Sequence, residues 1–285
     1  MEGVLIVDKP KGYTSHDIVS ILRKELQIKK IGHTGTLDPN ATGVLPILIG
    51  EATKISKYLV EHDKTYIATI TLGQRTTTGD KEGEIIEEKE VKKIDEKEII
   101  KVLKTFEGSQ TQKPPIYSAI KINGKKAYEY ARKGQTIDLS PREIFINSIE
   151  LINKKENEIT FKVECSKGTY IRILCEDIAQ KLDTVGYMKD LRRIKVDKFN
   201  IEEAITIEGI KTNTEQVLKK IISIEEVFKE KSEIILRPKG LELFLNGVQL
   251  TYELPDDVYR IYFQNKFIGL GIVKNKLLKR DVIKI

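Results

Sequence analysis

The chain has 285 residues, of which 40% are hydrophobic and 32% charged, and its net charge is +6. The length allows one large domain plus a small one, or two medium ones, and the composition suits an ordinary buried core. The two cysteines, Cys165 and Cys175, lack C-x-x-C spacing, so a reducing compartment is expected. Three scattered histidines (His16, His33 and His62) make a zinc site hard to assemble. With no apolar run of membrane-spanning length and no signal peptide before the first strand, a cytoplasmic protein is expected.

In chain order, residues 3–7 (Gly-Val-Leu-Ile-Val) read as a buried strand, broken by Pro10 and Gly12. Thr14, with Asp17 three residues on, fits a capping box. The helix it opens runs to about Leu26, with Ile18, Leu22 and Leu26 on one face. A loop over 27–42 precedes a second apolar strand at 44–49, a helix over 51–60 and a Thr/Ile/Tyr-rich strand over 64–72. Residues 73–83 read as turns, 85–91 as an exposed strand, and Asp95 with Glu98 as the cap of another helix.

The window 110–142 has seven basic and two acidic residues, with Gly124, Gly134 and three tyrosines. Strands are predicted over 144–152 and 159–165. A helix follows over 170–182, with Ile171, Leu174, Ile178 and Leu182 on one face, and another strand covers 191–199. Short helices in a linker-like stretch fill 201–231. The last 55 residues change to short strands at 234–236, 259–263, 267–273 and 282–285, as in a small β-barrel or sandwich. Strands and helices do not alternate as βαβ units, so the fold class is α+β.

The segment 31–50 stands out chemically. At this composition about six of any twenty residues would be charged, yet Asp38 is the only one. It sits among Gly32, Gly35, Pro39 and Gly43, with Thr34, Thr36, Asn40 and Thr42 nearby. A lone carboxylate in a neutral loop suits a nucleophile or a base. Asp38-Pro39 also fits a simple turn start, and both readings stand on the residues alone. A phosphate loop does not: neither G-x-x-x-x-G-K-[ST] nor G-x-G-x-x-G occurs.

The run Gly32-His33-Thr34-Gly35-Thr36-Leu37-Asp38-Pro39, continuing through Ala41-Thr42-Gly43-Val44-Leu45, resembles the catalytic motif of the TruB family of tRNA pseudouridine synthases. Other stretches are similar to that family's motifs in the expected order: Asp8-Lys9-Pro10-Lys11-Gly12 with Thr14-Ser15, Lys64-Thr65-Tyr66-Ile67-Ala68, and Pro114-Pro115 through Lys121 to Tyr128. Gly168-Thr169-Tyr170-Ile171-Arg172 and Leu191-Arg192-Arg193 complete the set. The resemblance covers roughly residues 3–200.

The resemblance implies Asp38 as the catalytic carboxylate and Tyr66 as the residue that stacks on the target base and handles its proton. Arg172 is implied as the aspartate's cationic partner, Tyr170 and Leu191 as base-pocket residues, and His33 as a support for the flipped-out loop. Lys121, Lys125, Lys126 and Arg132 are implied as contacts to the RNA backbone. It further implies a catalytic domain over 1–231, built on a mixed, mainly antiparallel sheet with an RNA-gripping insertion at about 110–136. A PUA-like β-domain over 232–285 would follow. The implied reaction isomerises uridine 55 of the tRNA T-loop, with no cofactor, no metal and no protein partner, in a monomer. A guide-RNA-dependent synthase subunit and an RNA-binding or RNA-folding protein are the alternatives. The insertion argues against the first, and the Asp38, Tyr66 and Arg172 set against the second. A glycosidase, which normally needs a second carboxylate, ranks last.

Overall fold

The computed structural model describes residues 2–284 apart from Ala119, Asn123, Arg132 and Thr136; the side chains of Lys121, Lys126, Thr214 and Gln216 are also outside the description. The predicted RNA contact Arg132 therefore lies outside the described residues. The elements that carry the argument begin with β1 (Gly3–Lys9), α1 (Ser15–Leu26), β2 (Ile31–His33), β3 (Thr42–Ile49), β4 (Lys64–Leu72) and β5 (Gly108–Gln112). They continue with β6 (Arg142–Lys155), β7 (Glu158–Cys165), α2 (Ile171–Lys181), β8 (Gly186–Val196) and β9 (Ile205–Thr206). Beyond these come β10 (Glu233–Ile235), α3 (Pro238–Leu245), β11 (Leu250–Thr251), β12 (Asp257–Phe263), β13 (Lys266–Lys274) and β14 (Leu277–Ile283).

The chain forms two compact units: residues 1–39, 45–60 and 202–285 make one, and residues 40–44 and 61–201 the other. In the first unit, β1 lies between β9 and β3, and β2 pairs with β3. The β1–β9 ladder is parallel (Val7 opposite Ile205) and the β2–β3 ladder antiparallel (Ile31 opposite Ile49). The uninterrupted apolar runs of β1 and β3 are those of strands buried on both faces. Leu5, Val7, Ile18, Leu22, Leu45, Ile47 and Ile49 form their shared core. α1 starts with the expected capping box between Thr14 and Asp17 and ends at Gln27 in the left-handed region.

The same unit contains a five-stranded sheet in the order β10-β12-β13-β14-β11. Ile234, Leu236, Phe244, Tyr259, Ile261, Val273 and Leu278 close its core. Asp281 of β14 accepts a hydrogen bond from Tyr58 at 2.6 Å and pairs with Lys57, while the Tyr58 and Phe228 rings meet edge to face at 5.4 Å. Phe228 and Asp281, late in sequence, are thus tied to the short helix Ser56–Leu59.

In the second unit β8, β4, β7, β6 and β5 follow one another in antiparallel ladders, and the first residues of β3 pair in parallel with β8. β4 alternates buried and half-buried positions, the pattern of a strand with one face on the core. The fold is therefore α+β with a mixed, mainly antiparallel sheet, as expected.

Several elements depart from the sequence reading. The expected helix over 51–60 is a 3₁₀ segment, Gly50–Ile55, and one α-turn, Ser56–Leu59. Gly50, in the left-handed region at φ 62°, breaks the chain there. The strand predicted over 191–199 starts earlier, at Gly186. α3 was not anticipated, although Pro238 at its first turn is a helix-start signal. Within the basic window, Lys121–Ile122 and Lys125–Lys126 form a hairpin around Gly124, followed by the short helix Ala127–Ala131.

Candidate active site

Asp38 lies in the first unit, exposed, in irregular backbone between β2 and β3. Its side chain faces solvent while the backbone on either side is held. The Leu37 N–H donates to Ser15 Oγ at 2.9 Å, and the Ser15 hydroxyl donates back to the Leu37 carbonyl at 3.2 Å. The Pro39 carbonyl accepts from Lys9 Nζ at 3.1 Å and from the Gly12 N–H at 2.9 Å. Lys9 is fully buried and also donates to the carbonyls of Tyr13 (2.7 Å) and Pro10 (3.0 Å). A buried ammonium is tolerated when its hydrogens meet acceptors. Here it stitches the end of β1 to the residue after Asp38. His33 is half-buried in β2, opposite Ile47 of β3. In the sequence Lys9 and Ser15 stand only as members of the N-terminal motif. Nothing in the sequence marks a lysine as the pin of a loop thirty residues away.

Tyr66, Tyr170, Arg172 and Leu191 belong to the second unit. Tyr66 is buried in β4, flanked by Val163 of β7 and Arg193 of β8. Arg193 is 1% exposed; its Nε donates to the Val44 carbonyl at 2.7 Å and its guanidinium hydrogen-bonds the Tyr66 hydroxyl. Burial pulls the Arg193 guanidinium below its ordinary pKa, and Tyr66 opposes that shift. Lys64, also buried, is lowered first by desolvation and then by the charge of Arg193. Leu191 is half-buried on β8 opposite Ala68.

Arg172 occupies the first turn of α2 and is 7% exposed. Its Nη2 donates to the Tyr117 carbonyl at 2.9 Å, and its Nη1 to the Thr78 carbonyl at 3.3 Å and Asp80 Oδ2 at 3.4 Å. Three residues from two chain segments thus fix the guanidinium's orientation. Tyr170, at the start of the same helix, is clamped by Gln112 of β5. Gln112 Oε1 accepts from the Tyr170 N–H at 2.7 Å, and Gln112 Nε2 donates to its carbonyl at 3.1 Å. The Arg142 guanidinium stacks on the Tyr170 ring at 4.8 Å. Asp80, Gln112, Arg142 and Arg193 were not singled out from the sequence for these roles. Their partners are 28 to 149 residues away along the chain, beyond the reach of local pattern.

In the basic hairpin, Lys121 stands opposite Lys126 and Lys125 opposite Ile122, with Lys125 exposed.

The comparisons with known proteins agree with one another. Residues 23–171 match the family model described as TruB family pseudouridylate synthase (N terminal domain), and residues 172–228 match that of the tRNA pseudouridylate synthase B C-terminal domain. The chain is 42% identical over 282 residues to tRNA pseudouridine synthase B of Clostridium kluyveri, covering 96% of each chain. It is 43% identical over 295 residues to the protein of that name from Alkaliphilus oremlandii, covering 100% of this chain and 97% of the relative. Among solved structures, a chain in an H/ACA RNP bound to a substrate RNA containing 2′-deoxyuridine is similar at 25% identity with a TM-score of 0.70. That match covers 99% of this chain and 84% of the other. A chain in a Cbf5-Nop10-Gar1 complex matches at the same identity and TM-score, with 99% and 83% covered. With matching motifs, matching fold and near full-length relatives, the chain belongs to the TruB family of pseudouridylate synthases.

Proposed function

We propose that this enzyme isomerises uridine 55 in the tRNA T-loop to pseudouridine, working alone and as a monomer in the cytoplasm. The observation that carries the reading is the Asp38 loop: an exposed carboxylate on a backbone tied down on both sides, inside the family's catalytic motif. The relatives named for tRNA are 42–43% identical over nearly the whole chain. The matches from guide-RNA assemblies stand at 25%. That difference favours the stand-alone reading.

The reaction breaks the N1–C1′ bond, turns the base and rejoins it through C5, with no net change in atoms. Asp38 carries the ribose fragment as a nucleophile at C1′, or begins an elimination as a base at C2′; a carboxylate suits either. Bringing the base out of its stack costs a few kcal/mol, and stacking on an aromatic ring such as Tyr66 returns about 1–3 kcal/mol. Arg172, held by Tyr117, Thr78 and Asp80, supplies a fixed cation. Tyr170 and Leu191 shape the base pocket, and His33 supports the flipped loop. The apolar Leu191 helps keep water from the detached base.

Lys121, Lys125, Lys126 and Arg132 meet the RNA backbone, which positions the tRNA without reading its sequence. Specificity comes from the folded shape of the T-loop. Residues 1–231 act as the catalytic domain and 232–285 as a PUA-like RNA-binding module. The test is to incubate the purified protein with an unmodified tRNA transcript and no other RNA, then map pseudouridine by carbodiimide adducts. One modification, at position 55, is expected; modification only after a guide RNA is added would overturn the stand-alone reading.

A further inference from the structure

Arg193 is the largest fully buried side chain among the described residues, and it is a charged one. Taking a guanidinium out of water is expensive unless its donors are used. The antiparallel register of β4 and β8 sets it directly across from Tyr66, so both residues sit on one face of the sheet. On the other side of β8, Gly43 of β3 lies opposite Arg193. Gly43 has φ +105°, and a Cβ there would fall 2.1 Å from the Arg193 carbonyl oxygen. Only glycine allows β3 to come this close, and that approach is what brings the Val44 carbonyl to Arg193 Nε at 2.7 Å. The guanidinium is thereby fixed from one side and hydrogen-bonded to the Tyr66 hydroxyl on the other. Lys64, two residues before Tyr66 on the same strand face, adds a second buried cation, its Nζ donating to the His62 carbonyl at 2.5 Å.

A guanidinium that donates to a phenol oxygen orients that oxygen and favours negative charge on it. The effect is strongest where water is excluded. We propose that Arg193 is a positioning residue for the reaction: it holds the Tyr66 oxygen and stabilises it as the phenolate that removes the C5 proton of the rearranged base. This deepens the proposed function and rests on its assignment of Tyr66 to the base's proton.

In that step the base has rejoined C1′ through C5, which still carries its hydrogen. The C5–H bond breaks, its electron pair restores the C5–C6 double bond, and the proton goes to the Tyr66 oxygen. The phenol then gives that proton to solvent, and N1 of the base takes one from solvent, so atoms and charge balance over a turnover.

The test compares single-turnover rates on two tRNA transcripts, one with uridine and one with 5-fluorouridine at the target position. In the second, C5 carries fluorine after the base rejoins, and there is no C5 proton to remove. Arg193→Met should slow pseudouridine formation from uridine by about 10²-fold or more, while the 5-fluorouridine base is rearranged at close to the wild-type rate and tRNA affinity is kept. Arg193→Lys, which keeps the charge, should recover about tenfold or more of the lost rate. Equal slowing on both substrates, or no recovery in Arg193→Lys, would show that Arg193 only packs the strand, and the inference would fail. If Arg193→Met does not fold, Arg193→Lys decides alone: slowing confined to uridine supports the inference, and equal rates or equal slowing on the two substrates overturn it. Tyr66→Phe separates the two levels. If Tyr66→Phe is not selectively slow on uridine, the assignment of Tyr66 itself falls; if it is while Arg193→Met is not, only the inference about Arg193 falls.

Discussion

The Asp38 loop and the Tyr66–Arg193 strand pair solve the same problem by opposite means. At Asp38 the side chain is exposed and the backbone is locked, by Ser15 on Leu37 and by Lys9 and Gly12 on Pro39. At Tyr66 the strand ladder supplies the backbone, and precision resides in a buried side-chain contact to Arg193. A loop residue needs added pins because no ladder orders it. A strand residue needs a partner across the sheet because its backbone is already committed. Buried cations serve in both places: Lys9 binds carbonyls, and Arg193 binds a carbonyl and a phenol.

That contrast can be broken first at the strand pair. Gly43→Ala forces a methyl group against the Arg193 carbonyl at a positive φ. A stability loss of about 3 kcal/mol or more is expected in urea unfolding, with catalysis lost alongside it; an unchanged midpoint would mean that β3 and β8 can separate freely. Lys9→Met should cost less, about 1–3 kcal/mol, because it removes the donor shared by the part-buried carbonyls of Pro10, Tyr13 and Pro39. Its kcat should fall while tRNA affinity holds, since the loop that carries Asp38 loosens; a fall in affinity alone would show that Lys9 serves binding. The smallest effect belongs to the basic hairpin. Replacing Lys125 and Lys126 together by Ala should leave stability unchanged and reduce the slope of log affinity against log salt by about 1.4 to 1.8. A constant slope would show that neither lysine meets phosphate.

Much of this is legible in the sequence. The scarcity of charge around Asp38 marks the loop, and runs rich in Ile, Val and Leu mark β1 and β3, because strands covered on both faces leave long apolar stretches; the Thr, Ile and Tyr content of β4 marks a strand with one face on the core. The Thr14–Asp17 box gave the start of α1. What could not be read is what distance along the chain conceals. Arg193 meets Val44 across 149 residues, and Arg172 meets Asp80 across 92. Lys9 reads as a surface lysine because local sequence holds no sign of the carbonyls that surround it. The helix Pro238–Leu245 is hidden for another reason: it is short and lies among short strands, with only the proline in its first turn to mark it.

The central claim is that Asp38 carries the chemistry. Its most direct test is tritium release from a tRNA transcript labelled at uridine C5, with wild type and Asp38→Asn compared in buffer containing EDTA. The account predicts release by the wild type that stops near one tritium per tRNA. It predicts none above background with Asp38→Asn, a loss of about 10⁴-fold or more, with tRNA binding kept. Release by Asp38→Asn at a comparable rate, or loss of binding in step with loss of activity, would contradict the assignment of Asp38 as the catalytic carboxylate.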